Sequence, residues 1–336
     1  MREVALASVS LVKFGRYDGQ KGRPNKQFYE LGAEAIFKTL DAADMEWKHI
    51  QAAFCGSVYQ GTGSGHQAIK CVGLTGIPIV NVENACSSSA SALRLAYQAV
   101  ANEVHDIVLV LGMEKLPLGL LETSAFPLWQ RYMGLNVQPA HYGMKTVRYM
   151  EDYGVTLEDI ARVTVLSRRN GALNPNAMFQ QEVTLEEVLS SRVIASPLRL
   201  LMVCANADGA AAAIVCTKDK LKSQSKVVTI AASIHTTGTY GTTEEGGGSV
   251  KIKNLNCTEI SAKQAWEVSG YGPEDIDVVQ GYDTMATALM WNIEDLGFCG
   301  KGEFAPLLKE GVFDINGKIG DVVPMQEVIT YLDGLK

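Results

Sequence analysis

The densest chemical signal in the chain is IPIVNVENACSSSASALRLAYQAV, residues 77–100. An apolar run reads as a buried strand ending at Asn84, and a helix is expected from about Ser87. Cys86 therefore falls at a strand-to-helix junction, where unpaired backbone N–H groups and the helix dipole favour a thiolate. The same amides can hold the oxyanion of a tetrahedral intermediate, which is what acyl transfer to sulfur requires. Ser87, Ser88, Ser89, Ala90 and Ser91 are small, so this helix can approach another backbone closely. The alternative is a structural cysteine acting as a small buried hydrophobe, the ordinary fate of an intracellular cysteine. Position at the junction favours the nucleophile for Cys86. Cys55, Cys71, Cys216 and Cys257 keep the structural reading.

A second group lies at the end of another expected strand, in GYDTMATALMWNIEDLGFC. The Tyr282 phenol can donate to a carbonyl or, with a lowered pKa, move a proton; packing at a strand end would explain it equally well. Asp283 can bind substrate or cap the following helix. His141 opens a helix and can line an acyl pocket or serve as a cap. Met113 ends an apolar strand and is a candidate for contact with substrate. His235 precedes a glycine-rich loop that can meet a ligand. Lys145, Arg148, Arg168 and Arg169 are possible phosphate partners, although solvated helix faces explain them more simply.

The elements that must position these groups follow from the patterning. Apolar strands at Arg2–Val12, Gln51–Val58, Ile77–Asn84 and Asp106–Met113 alternate with helices at Phe28–Ala43, Gly65–Leu74 and Ser87–Val100. Such alternation implies an α/β fold with a largely parallel sheet buried on both faces. Residues 114–190 interrupt the rhythm with an excursion over the site or an interface, carrying helices at His141–Tyr153, Leu157–Gly171 and Thr184–Ser190. The first half closes with a strand at Ala210–Cys216. The pattern then begins again with a strand at Val227–His235, a helix at Glu259–Ser269 and a strand at Ile276–Gly281. This reads as a duplicated α/β unit, 1–220 and 221–336. The second half is shorter. A strand, loop and helix matching Ile77–Val100 are missing after Gly320, so a segment is expected to be absent between Gly320 and Asp321.

Composition sets the limits. Of 336 residues, 47% are hydrophobic and 20% charged, as in an ordinary globular protein. The formal charge of −7 argues against a nucleic-acid partner, which would need a basic face. No apolar run reaches the ~18 residues of a membrane span. The N-terminus reads as a first strand rather than a signal peptide. Seven scattered cysteines form no CxxC pair, which fits neither a disulfide framework nor a zinc site, and a reducing cytoplasm is expected.

Several blocks together resemble the thiolase superfamily, closest to its sterol-carrier-protein branch and the thiolase-like aldolases. GIPIVNVENACSSSASAL resembles the family's nucleophile segment, and DIVLVLGMEKL the next strand with its G-x-E turn. HYGMKTVRYMEDYG, CANADGAAAAIV and GYDTMATALMWNIEDLGFCGKGE match later blocks in the right order. The resemblance implies a five-layer αβαβα thiolase fold, a homodimer or larger assembly, and acylation of Cys86 by a 3-oxoacyl-coenzyme A. Coenzyme A would enter as a substrate, with no bound cofactor and no metal. It further implies a benzoylsuccinyl-coenzyme A type of substrate, branched or aromatic, and a small OB-fold and zinc-ribbon partner protein.

Two departures matter. The family's GHPxG histidine and CxG cysteine have no counterpart here; the histidines stand at 49, 66, 105, 141 and 235 only. GYDT also stands where thiolases of this branch often read HDCF, which resembles the aldolase-like relatives. Three readings are therefore carried: a thiolase, a retro-aldolase acting on 3-hydroxyacyl thioesters with Tyr282 taking the hydroxyl proton, and a non-catalytic acyl-coenzyme A-binding subunit.

Overall fold

Apolar runs buried on two faces and amphipathic stretches at helical spacing alternate along the first hundred residues, and the elements follow them. The computed structural model describes residues 2–119, 121, 127–221, 227–238, 256–315, 317 and 321–324. In chain order the elements are β1 (Val4–Gly15), α1 (Phe28–Ala42), β2 (Ala52–Gly56), α2 (Ser64–Val72), β3 (Ile79–Val82), α3 (Ser88–Ala101) and β4 (Ile107–Glu114). Then come α4 (Leu128–Tyr132), α5 (Gln138–Tyr153), α6 (Leu157–Leu173), α7 (Leu185–Ser190), β5 (Val193–Ala195), β6 (Leu198–Arg199) and β7 (Asp208–Thr217). The remainder is β8 (Val228–Thr229), α8 (Cys257–Ser269), β9 (Val278–Gly281), α9 (Ala286–Asp295), α10 (Phe304–Lys309) and β10 (Asp321–Pro324), with short 3-10 turns between.

The chain divides into two units, Met1–Leu116 with Ala207–His235, and Pro117–Asn206 with Thr236–Lys336. The first is built on a six-stranded sheet of order β3-β2-β4-β7-β1-β8. The sheet corrects the expectation of a largely parallel arrangement. Only β2 runs parallel to its neighbours β3 and β4, whereas β7 is antiparallel to both β4 and β1, and β8 is antiparallel to β1. The reason lies in connectivity. Strand β7 returns to the sheet after ninety-odd residues rather than through one crossover helix, so no βαβ unit imposes its direction. One apolar cluster, including Leu31, Ile36, Ile69, Leu109 and Ile214, fills the space between the sheet and α1 and α2. Another, including Phe54, Ala92, Ala96, Val108 and Val215, seats α3 on the opposite face.

The buried Asp208 closes this unit. Its carboxylate takes hydrogen bonds from the Tyr17 amide (2.9 Å), the Leu116 amide (2.9 Å) and the Arg16 guanidinium (3.0 Å), joining the entry to β7 with the exits of β1 and β4.

The second unit has a core of α5, α6, α9 and α10 side chains around fully buried Trp291, Tyr149, Phe304 and Phe313. Tyr142 stacks on Trp291 at 5.9 Å between ring centres. The Tyr149 hydroxyl donates to buried Glu294 at 2.6 Å, and the Phe304 amide donates to the same oxygen at 3.3 Å. Burial pushes the Glu294 carboxyl above its ordinary range. Asp295 accepts from Asn256 at 2.8 Å and pairs with Lys301. The EDLGFC block is thus an internal brace: its acidic residues hold α5 and the start of α8 rather than meeting solvent.

In this unit β10 pairs in parallel with β9, Asp321 opposite Val278 and Pro324 opposite Gly281. The passage from Gly320 to Asp321, where a break is expected, lies outside the described residues, as does the apolar stretch 328–332. The strand expected at Val227–His235 pairs only over Val228–Thr229.

Candidate active site

Cys86 lies in a tight turn between β3 and α3. The helix begins at Ser88 with Ser87 as its cap residue, one residue later than the sequence implies. Ala85 adopts φ +45°, a left-handed conformation uncommon for a residue with a side chain. Such a conformation costs of the order of 1–3 kcal/mol and persists only where surrounding bonds hold it. Here they are plentiful. The Ser87 amide donates to the Asn84 carbonyl (3.0 Å) and the Ser88 amide to that of Ala85 (3.1 Å). The Ala85 amide donates to the Glu83 carboxylate (2.7 Å), and the Asn84 amide to the Ser88 hydroxyl (2.8 Å). The turn leaves Cys86 exposed.

These bonds correct one expectation. The Ser87 and Ser88 amides are engaged inside the turn, so the oxyanion donors foreseen at the helix start are not those two. The small residues serve as foreseen: a side chain at Gly56 would meet the backbone of Ser88 and Ser89 at 2.7 Å, and one at Gly112 would collide with Ser89. The first turn of α3 therefore rests directly on the ends of β2 and β4.

The Asn84 side-chain amide donates to the Ser91 hydroxyl (2.9 Å) and to Nε2 of His235 (3.0 Å). His235 is thereby tied to the Cys86 turn. Glu114, at the end of β4, accepts from the Val58 amide (2.7 Å), the Tyr59 amide (3.2 Å) and the Gln60 side chain. It gathers the loop after β2. Sequence reasoning assigned no role to Glu114 or Tyr59; the G-x-E turn was the available signal.

Among the other thiols, burial pushes Cys55 up to about 12 and Cys216 to about 11. Burial, then Glu294 and Glu303, raise Cys299 to about 12. Cys71 is exposed rather than enclosed, its thiol directed to the Gln67 carbonyl at 3.4 Å. Met113 is buried in the core of the first unit, and a side chain at Gly32 would meet its sulfur at 2.9 Å; its position is one of packing.

The other candidates lie in the second unit. Tyr282 and Asp283 follow β9 and are partly buried, and the Tyr282 carbonyl accepts from Asn292 at 3.0 Å. The cap residue of α9 is Met285, without a side-chain cap bond, so Asp283 does not cap the helix as one reading held. Denied those amides, the Asp283 carboxyl is pushed by burial up to about 6. Beside it, the Cys204 amide donates to the Thr284 carbonyl at 3.0 Å, joining CANADG to GYDT. His141 donates from Nε2 to the Leu135 carbonyl at 2.7 Å, which fastens the start of α5.

Residues 4–219 match the thiolase N-terminal domain, and residues 249–322 match the thiolase C-terminal domain-like family. The chain belongs to the thiolase family. It is 35% identical to the benzoylsuccinyl-CoA thiolase subunit BbsB of Thauera aromatica over 324 residues, covering 94% of this chain and 81% of that one. It is 33% identical to an acetyl-CoA acetyltransferase of Methanothermobacter thermautotrophicus, covering 95% and 83%. Its structure resembles that of an Ltp2-ChsH2(DUF35) aldolase with a TM-score of 0.80 at 24% identity, covering 97% and 84%. The fold is the α/β thiolase fold, and the chain is an acyltransferase of that family. Among the described residues, no helix of this thiolase is long and apolar enough to cross a membrane.

Proposed function

We propose that this enzyme cleaves a 3-oxoacyl-coenzyme A by thiolysis through Cys86. The observation that carries the reading is the exposed thiol on a strained, heavily bonded turn, its sulfur presented just ahead of α3. Attack of the Cys86 sulfur on the 3-oxo carbon breaks the C2–C3 bond and releases a shortened acyl-coenzyme A once C2 takes a proton. The thiol of free coenzyme A then attacks the acyl-cysteine and regenerates Cys86. Tyr282 is assigned the polarisation of a substrate carbonyl, and Asp283 and His141 the acyl-binding region. A branched or aromatic acyl chain is favoured because the relative at 35% identity is named for benzoylsuccinyl-CoA. Coenzyme A serves as substrate, without a bound cofactor or metal. The enzyme would work in acyl-coenzyme A degradation in the cytoplasm, as a homodimer or larger assembly of chains divided near residue 220. A small OB-fold and zinc-ribbon partner fits the description of BbsB as a subunit.

One observation favours a second reading. Asp283 follows Tyr282 at the end of β9 and burial raises its carboxyl to about 6, and a carboxyl so raised suits the proton transfer of a retro-aldolase acting on 3-hydroxyacyl thioesters. Product analysis with matched 3-oxo and 3-hydroxy thioesters separates the two. Coenzyme A-dependent cleavage of the 3-oxo substrate supports thiolysis. Cleavage of the 3-hydroxy substrate to an aldehyde or ketone without coenzyme A supports the aldolase. Binding of both without turnover would leave an acyl-coenzyme A-binding subunit.

A further inference from the structure

The turn that carries Cys86 is wound about Asn84, two residues before the thiol. The Asn84 carbonyl accepts from both the Ser87 amide (3.0 Å) and the Ser87 hydroxyl (2.9 Å), so its bonds close around Ala85 and Cys86. The Asn84 side-chain amide is bonded to the hydroxyl of buried Ser91 (2.9 Å) and to Nε2 of His235 (3.0 Å). His235 stands 151 residues away in sequence, and the chain leading to it is fastened in steps to the same unit. The Ile230 amide donates to the Val4 carbonyl at 2.9 Å, and the Arg94 guanidinium donates to the Ser233 carbonyl. Ser91 and Arg94, three residues apart on α3, share one face of that helix. Residues 230–235 thus pass beside the helix that follows Cys86 and end against the residue that opens the turn. The His235 ring is exposed, so it adds little to packing. What it contributes there is the bond to Asn84.

We propose that His235 is a positioning residue for Cys86, acting through the Asn84 side chain. Bonded to Ser91 alone, that side chain could still turn; the second bond, from a different element, fixes its plane. A fixed Asn84 in turn holds the left-handed Ala85 at φ +45°, a conformation that relaxes once its surroundings let go. With the turn held, the sulfur stays ahead of α3, where the helix dipole favours the thiolate and an acyl carbon can meet it in line. In this role His235 exchanges no proton with the sulfur and touches no substrate. Alanine at this position removes the partner of Asn84. Glutamine keeps one, because its side-chain amide can turn to offer Asn84 either a donor or an acceptor.

This inference rests on Cys86 as the nucleophile, and its test uses no thioester. Iodoacetamide at pH 7.5 is applied to the full chain, and alkylation rates at Cys86 and Cys71 are followed by peptide mapping. The proteins compared are the native chain, His235→Ala, His235→Gln, Asn84→Ala and the double alanine variant. His235→Ala is expected to slow Cys86 by roughly three- to tenfold with Cys71 unchanged, and His235→Gln to stay within about twofold of the native rate. Asn84→Ala should slow Cys86 at least as much. Adding His235→Ala to it should cost nothing further, as for two residues acting along one route. An unaltered Cys86 rate in His235→Ala overturns the proposal. Equal slowing at Cys71 overturns it as well, as an effect on the whole unit. So does a loss in His235→Gln as large as in His235→Ala, or a double variant slower than Asn84→Ala, since the imidazole would then have a role of its own at the thiol. Should Asn84→Ala fail to fold, His235→Ala and His235→Gln decide between these outcomes. A His235→Ala effect in a chain that cleaves no thioester would remove the proposed function and leave this inference standing.

Discussion

The Glu114 carboxylate accepts the Val58 amide at 2.7 Å, across fifty-six residues of sequence, and so joins the end of β4 to the loop beside Cys86. Glu114→Ala would release Val58, Tyr59 and Gln60 together. The expected outcome is a loss of about 1–3 kcal/mol in stability by urea denaturation, from amides left without their charged acceptor. A drop of roughly tenfold in kcat/KM should accompany it. Unchanged kinetics would separate this clamp from the active site.

Tyr282→Phe removes only a hydroxyl. If that group polarises a substrate carbonyl, kcat should fall by roughly ten- to a thousandfold with little change in KM, as for other oxyanion donors. Turnover equal to that of the native chain would return Tyr282 to packing.

Asp283 gives a pH-dependent prediction. Its carboxyl is raised from near 3.8 to about 6 in the folded chain, so the folded state binds the proton more tightly than the unfolded one. The stabilising contribution is complete below about pH 3.8 and is lost as pH rises through about 6. Asp283→Asn should therefore be more stable than the native chain at pH 8, by up to about 3 kcal/mol, and nearly equal to it at pH 4. Denaturant titrations at the two pH values check this. A stability difference that does not change with pH would show that burial does not raise this carboxyl.

The alternation of strands and helices was legible because two-face burial leaves long apolar runs such as Ile107–Glu114. Strand direction was not. Strand β7 carries the same apolar pattern whether it runs with or against its neighbours, and only its long connection decides. The strand expected at Val227–His235 shows the same limit, since alternation says nothing of available partners beyond Thr229. At the candidate site, Cys86 was readable from local context, one residue off in the helix start. Glu114 and Tyr59 were not, because their relationship exists only once β2 and β4 lie side by side. Asp283 reads as a cap by residue type alone, and the helix starts too late for it to serve.

Tyr149→Phe tests the brace in the second unit. Glu294 would keep its burial and lose the phenol that donates to it at 2.6 Å. A destabilisation of about 1–3 kcal/mol is expected, measured by urea unfolding. A neutral substitution would mean that another donor replaces the tyrosine.

The central claim is that the acyl group passes through Cys86, and the direct measurement is peptide mapping after acid quench of the enzyme mixed with a 3-oxoacyl-coenzyme A and no free coenzyme A. The expected result is the mass of one acyl group on the peptide bearing Cys86, its disappearance when coenzyme A is added, and no such adduct in Cys86→Ala, which should also lose thiolysis. An acyl group on Cys204 or Cys71 instead, or near-normal cleavage by Cys86→Ala, would contradict it.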